Sequence, residues 1–529
     1  MSLFESKVVW RLRFLVVVLL AASAAEAAGT PQTALELPAR LPTVFSTIPP
    51  EISEFLRQAE IAEKISDPMA RCLAFPDLPG NQWPAGLAKA HCDLAYGPRI
   101  TLAKATELVA HGATAELDAL YAADLERHFS QENFSEVIHR DFDDFDESYA
   151  AGKFTKDWLE KAPNSAFALT ARANHYRSMA NDARGAEWAS DTPDENMDRM
   201  REFSNLAIPL YQRALQIEPR LLPAYAGLID IGMRDGRRSE LGEKAFQDAN
   251  RIDPSCKVVT GYQMTSLEPR WGGSYPAMLK LSDELAPHVS ERPLLALNTI
   301  WPIADLGDRL RSADKYDEAV KALTPIMALT SNPDPYEDLG ISMLQSEKGS
   351  LWEALVYLLE ASRFDEGEQY VNRRRGRLLV EAQRPEWAEK YAKRAVELDP
   401  DDPVAHYWLG ATYLGTGNWV LAEQEYRISA KDPEQRNRSL AELASVLVKS
   451  GRLPQAREQV DLVTTEYPAF AQGWLVRYQV LTLTHSEGAL DALQKFFDTA
   501  DRSDNRSLQM MEDVQHWITD NRVQLPAGR

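Results

Sequence analysis

The chain has 529 residues, 44% of them apolar, and a formal net charge of −21. That length supplies enough apolar side chains for several cores, or for the one continuous core of a repeat array. The acidic balance counts against nucleic acid and anionic membrane as partners and mainly favours solubility.

At the N-terminus Lys7, Arg11 and Arg13 precede an apolar run from Phe14 to Ala22, and small residues then end in Ala25-Glu26-Ala27. A charged start, a short apolar core and an A-x-A site predict a secretory signal peptide over residues 1–27. The run is too short to favour a membrane span, so no integral span is expected after cleavage. An uncleaved N-terminal anchor is the alternative. No cysteine follows the run, which argues against a lipid anchor. Residues 1–27 hold three basic and two acidic side chains, so the mature chain stands at −22. Export to the periplasm is the expected address.

Residues 28–155 read as an irregular and helical N-terminal region, proline-dotted and extended as far as the breaker Pro49-Pro50. Cys72 and Cys92 flank a loop rich in proline and glycine. In an oxidising compartment they are expected to form a disulfide worth about 3 kcal/mol in the chain-entropy model. The alternative is two unrelated core cysteines. Cys256 is then left as a buried thiol. Leu117, Leu120, Tyr121 and Leu125 recur at helical spacing. The acidic run Asp141, Asp143, Asp144, Asp146, Glu147 invites a calcium loop, but Phe145 and Gly152 fall where ligands belong. A solvated acidic helix face is expected instead. None of the nine histidines stands in H-E-x-x-H, and no C-x-x-C occurs. The spacing therefore supports no metal site, and no cofactor and no catalytic residue is called for. His91 beside Cys92 suggests an activated thiol only weakly, because neighbours in sequence need not touch.

Residues 156–299 form a central helical region. Ala207, Tyr211, Ala214 and Pro219 are echoed by Gly242, Phe246, Ala249 and Pro254 at an offset of 35 residues. In Pro269-Arg270-Trp271-Gly272-Gly273-Ser274 the glycines permit a tight turn, and Ser274 can cap a helix opening at Tyr275-Pro276. The segment is neither a phosphate loop nor G-x-S-x-G, and a structural turn is expected. With Ala183-Arg184-Gly185 upstream, this motif resembles the exported bacterial family known as domain of unknown function 4034, over roughly residues 110–310. The resemblance implies no activity.

From residue 300 to 500 an alanine recurs as Ala319, Ala354, Ala388, Ala422 and Ala456, at intervals of 35, 34, 34 and 34, with an echo at Ala489. A small residue is needed where the second helix of a pair crosses the first. Pro400 and Pro468 follow 12 residues after their alanines, Pro433 follows after 11, and Gly417 and Gly451 stand five before theirs. Ala361 and Ala395 supply a second small residue seven places on. The pattern, clearest through Leu409, Gly410, Tyr413, Gly417, Ala422 and Tyr426, resembles the tetratricopeptide repeat (TPR) family. Arg375 and Ala392 depart from it, standing where a core leucine and an aromatic are usual. The expected fold is all-α: a TPR-like helical solenoid after the irregular and helical N-terminal region. Residues 501–529 would form a capping helix and tail, with Asp501, Asp504, Glu512 and Asp513 facing water.

The resemblance implies that Tyr370, Arg373, Arg377 and Tyr407 line the concave face. Arginines there could clamp a carboxylate or phosphate by paired hydrogen bonds. The competing reading is neutralisation by Asp365, Glu366, Glu368 and Glu381. The expected function is a non-catalytic, exported scaffold binding a protein or peptide ligand, acidic in character. Its rival is an envelope hydrolase or glycan-modifying enzyme with its site in residues 50–290. A homo-oligomer without a separate ligand is the third possibility.

Overall fold

The computed structural model describes residues 49–520, apart from 133, 186, 188–190, 347–349, 366 and 503–504. The expected signal peptide, the stretch from Ala28 to residue 48, Glu366 and Asp504 lie outside the described residues. Among the described residues there are 27 α-helices and no strand. The architecture is all-α and built of TPR-like helix pairs. It divides into two compact units, one of residues 62–335 and one of residues 49–61 with 336–520.

In the second of these units, helix pairs follow one another with short turns: Gln369–Glu381 with Pro385–Leu398, Pro403–Thr416 with Trp419–Ser429, Arg436–Lys449 with Leu453–Glu466, and Ala471–Leu483 with Ala489–Thr499. Ala354, Ala388, Ala422 and Ala456 are fully buried, as the crossing role requires. Close approach also explains Ala392: a Cβ placed on Gly376 would stand 3.3 Å from the Ala392 methyl, leaving no room for an aromatic ring. Arg375 is fully buried but matched. Its Nε donates to the Leu358 carbonyl at 2.8 Å, and its Nη2 pairs with Glu337 at 2.6 Å. Gly417 ends its helix in the left-handed region at φ 80°, where an L side chain would be strained. Pro50, expected as a breaker, instead opens the helix Pro50–Glu63, a position where its missing N–H costs nothing. The last helix, Asn505–Asp520, packs Val514, Trp517 and Ile518 on Leu475, Tyr478 and Phe496. Glu512 on it is exposed, whereas Asp513 is buried rather than water-facing.

Residues 62–335 hold a long pair, Ala166–Arg184 with Asp194–Ile217, followed by Leu222–Arg234 with Ser239–Ile252. Their core gathers Tyr121, Phe142, Trp158, Phe167, Ala207 and Tyr211. Ala319, the first alanine of the 34-residue series, is fully buried in this unit. Cys72 and Cys92, on the helices Pro68–Ala74 and Leu87–Tyr96, are joined as a disulfide with Cα atoms 5.8 Å apart. Cys92 therefore carries no thiol, and His91 bonds instead to Ser331 Oγ at 2.8 Å. Ser274 caps the helix Tyr275–Leu285 after a glycine turn with Gly272 at φ 91°. Arg184 and Arg234 lie over the Trp271 ring at 5.2 and 5.7 Å, so the two short central motifs meet in space.

The acidic run is not a helix face and only part of it is solvated: Asp143, Asp146 and Glu147 are exposed, while Asp141 and Asp144 turn inward. The helix ends at Arg140, and the run turns back toward the chain. Asp141 is buried and accepts the Ile100 N–H at 2.7 Å. Asp144 pairs with Arg99 at 2.6 Å and accepts the Leu102 N–H at 2.8 Å. These carboxylates satisfy backbone donors at the start of the helix Leu102–Ala110, which is why they point inward.

Candidate functional site

The repeat face is built from first helices of three consecutive pairs. On Gln369–Glu381, Tyr370, Arg373 and Arg377 are half-buried on successive turns. Arg373 lies 5.1 Å over the Tyr370 ring and forms an ion pair with Asp402, which Gln369 also contacts. Arg377 lies 5.5 Å over Trp408 and pairs with Glu381 at 3.0 Å. On the next first helix, Tyr407 and Trp408 meet edge to face at 5.1 Å. On the third, Arg438 lies 4.6 Å over the Tyr407 ring. The result is a ladder of guanidiniums and aromatic rings that crosses three helix pairs, a combination suited to gripping an anionic, partly apolar ligand.

Two residues differ from the sequence reading. Tyr407 is expected as a groove contact, but only 2% of it is exposed, because its ring packs on Trp408 and Tyr426. It acts as the floor under Arg438. Arg438 was missed, although it stands two repeat lengths, 68 residues, after Tyr370 and so at the same register position. Neutralisation is also partly present. Glu381 takes Arg377 as the competing reading expects, while Arg373 is held by Asp402, which that reading did not name. Beside Arg438, burial pushes the Glu442 carboxyl up to about 7, against the opposing pull of the arginine.

A second site lies in residues 62–335. A cavity of about 510 Å³ is lined by His139, Asp143, Asp146, Arg177, Lys257 and Tyr262 among others. Arg177 pairs with the buried Asp230 at 2.7 Å. Burial alone would raise that carboxyl, but Arg177 and Arg234 hold it below the usual carboxylate range. Burial pulls the Lys257 ammonium down. Against the cavity wall the fold also gathers side chains that no spacing rule connects. Donor atoms of His128, His139 and Cys256, all buried, lie within 4.8 Å of one another. Sequence spacing supports no metal site and could not point to this grouping, because its members come from helices scattered along the sequence.

Comparison with known proteins bears on the repeat face. Residues 391–424 match the tetratricopeptide repeat family. The match runs from one second helix into the next, a single repeat length. No curated protein matches the chain. Among solved structures it is similar to a tetratricopeptide repeat protein from Parabacteroides merdae ATCC 43184, with 17% identity over 45% of this chain and 98% of that one and a TM-score of 0.31. It is similar to MamA, residues 41 to the end, from Desulfovibrio magneticus RS-1, with 17% identity, 31% and 92% coverage and a TM-score of 0.27. It is similar also to a chain of the APC/C hetero-tetramer Cut9-Hcn1, with 11% identity, 89% and 97% coverage and a TM-score of 0.32. No helix among the described residues is long and apolar enough to cross a membrane.

Proposed function

We propose that this chain is an exported scaffold that binds an acidic protein or peptide segment along its TPR-like helix pairs. The observation that carries the reading is the ladder of Arg373, Arg377 and Arg438 over Tyr370, Trp408 and Tyr407. Three guanidiniums on one stretch of an otherwise acidic chain offer charge-assisted hydrogen bonds, the half-buried Tyr370 ring supplies apolar contact, and the buried Trp408 and Tyr407 rings hold Arg377 and Arg438 in place. The Cys72–Cys92 disulfide supports an oxidising compartment, consistent with the signal-like segment at residues 1–27. A likeness of residues 110–310 to domain of unknown function 4034 would add an exported family and no reaction.

The test is binding of an acidic peptide panel to the purified chain by fluorescence anisotropy, with Arg377→Glu/Arg438→Glu as the variant. Binding that weakens at least tenfold in a variant with unchanged helical circular dichroism supports the scaffold. Equal binding by both proteins would remove the ladder from the account. A second reading, the envelope hydrolase or glycan-modifying enzyme, draws on one observation: the cavity that places Lys257, His139, Asp143 and Asp146 together. Hydrolysis of glycan or ester substrates by the chain, lost in Lys257→Met, would support it, and inactivity of the wild-type chain would sink it.

A further inference from the structure

The buried cluster beside the cavity holds more than the two histidines and the thiol. His128 closes the helix Thr114–His128, Glu136 precedes the short helix Val137–Arg140 and His139 lies within it, and Cys256 precedes the helix Lys257–Ser266. The Glu136 Oε2 atom stands 3.8 Å from His128 Nδ1 and 3.7 Å from His139 Nε2, and Cys256 Sγ stands 3.4 Å from His139 Nε2. A tetrahedral centre with bonds of about 2.0–2.3 Å requires ligand-to-ligand edges of about 3.3–3.8 Å. The three separations already fall in that range.

Hydrogen bonding singles out two of these atoms. His128 Nδ1 and Glu136 Oε2 are buried with no hydrogen-bond partner, a costly arrangement for groups that face each other. His128 Nε2 lies 2.9 Å from Asp253 Oδ2, and Asp253 is itself fixed through Oδ1 by the N–H and hydroxyl of Ser255. A carboxylate that takes one ring N–H commits the other ring nitrogen to its lone pair, the arrangement that supports a metal-bound histidine.

We propose that His128 Nδ1, Glu136 Oε2, His139 Nε2 and Cys256 Sγ form a structural site for a zinc-class divalent cation, with Asp253 positioning His128. Two imidazoles, one thiolate and one carboxylate are a zinc ligand set. The thiolate and the carboxylate neutralise the ion. On binding, the Cys256 proton leaves to solvent as the S–metal bond forms. His128, His139 and Cys256 already stand within 4.8 Å of one another. The Glu136 carboxylate, which faces the two histidines from outside that group, closes the centre as fourth ligand, so the site ties helix ends together and leaves no open position. His139 also lines the cavity, which supplies a path for entry.

The test uses the full chain, oxidised at Cys72 and Cys92, stripped with chelator and titrated with Co²⁺ and then Zn²⁺. One equivalent of Co²⁺ should give tetrahedral visible bands with a thiolate charge-transfer band, displaced by Zn²⁺, and the melting temperature should rise with either ion. Cys256 is the one free thiol among the described residues, so the thiolate band identifies the site without a variant. Cys256→Ser and His139→Gln should lose the band, and Asp253→Asn should weaken binding 10–100-fold. A folded wild-type chain without the charge-transfer band would overturn the proposal, as would a band that survives in Cys256→Ser.

Discussion

Glu353, on the helix Leu351–Phe364, shows what burial does to a single residue: it pushes the carboxyl from 4.5 up to about 7. The folded chain then holds this proton across a range where the unfolded chain has lost it. The associated stability is present below pH 4.5 and drains away as pH rises through about 7. Glu353→Gln, neutral throughout, should therefore gain stability relative to wild type at pH 8 and not at pH 4.5. The expected gain is about 1–2 kcal/mol, reduced from the full linkage value for partial exposure, and urea unfolding at the two pH values would check it. At the same scale the sequence shows which residues are chemically able to bind but not which are occupied. Arg373 and Arg377 are legible as a cationic stripe. That Asp402 claims one of them depends on a helix start 29 residues on, and that Tyr407 is floor rather than wall depends on Tyr426 packing behind it.

Among elements, the turns inside the four helix pairs from Gln369 to Thr499 obey one rule. Positive φ recurs at Gln383, Gly417, Gly451 and His485, each 34 residues after the last, and Asp314 takes the same place five residues before Ala319. Glycine enters this region without penalty, whereas other L residues pay about 1 kcal/mol or more. Gln383→Gly should thus stabilise the unit by about 0.5–1 kcal/mol after the entropy cost of glycine is counted. Chemical denaturation would show it, and a loss of stability would mean that the Gln383 side chain makes contacts outweighing its backbone strain. The rule is half visible in the sequence. Two glycines mark it, while Gln383 and His485 are forced into the same conformation by the helices on either side.

For the molecule as a whole, the disulfide spans only 20 residues and constrains the unit of residues 62–335. Cys72→Ala/Cys92→Ala should lower that unit's stability by about 3 kcal/mol, read as faster amide exchange in the helices Pro68–Ala74 and Leu87–Tyr96. A change below about 0.5 kcal/mol would mean that the loop is held by packing alone. What the sequence by itself determined is the periodic part: helical content, the crossing alanines and their pitch, the capped glycine turn and the pairable cysteines. These follow from local geometry, because one residue type at one spacing suffices to specify a helix, a crossing or a turn. Only the tertiary structure decided which acids hold Arg373 and Arg377, why Asp141 and Asp144 turn inward, and that His128, Glu136, His139 and Cys256 converge. Such sites join residues from about thirty to more than a hundred positions apart, and their meeting is set by how whole helices pack, which no short spacing encodes.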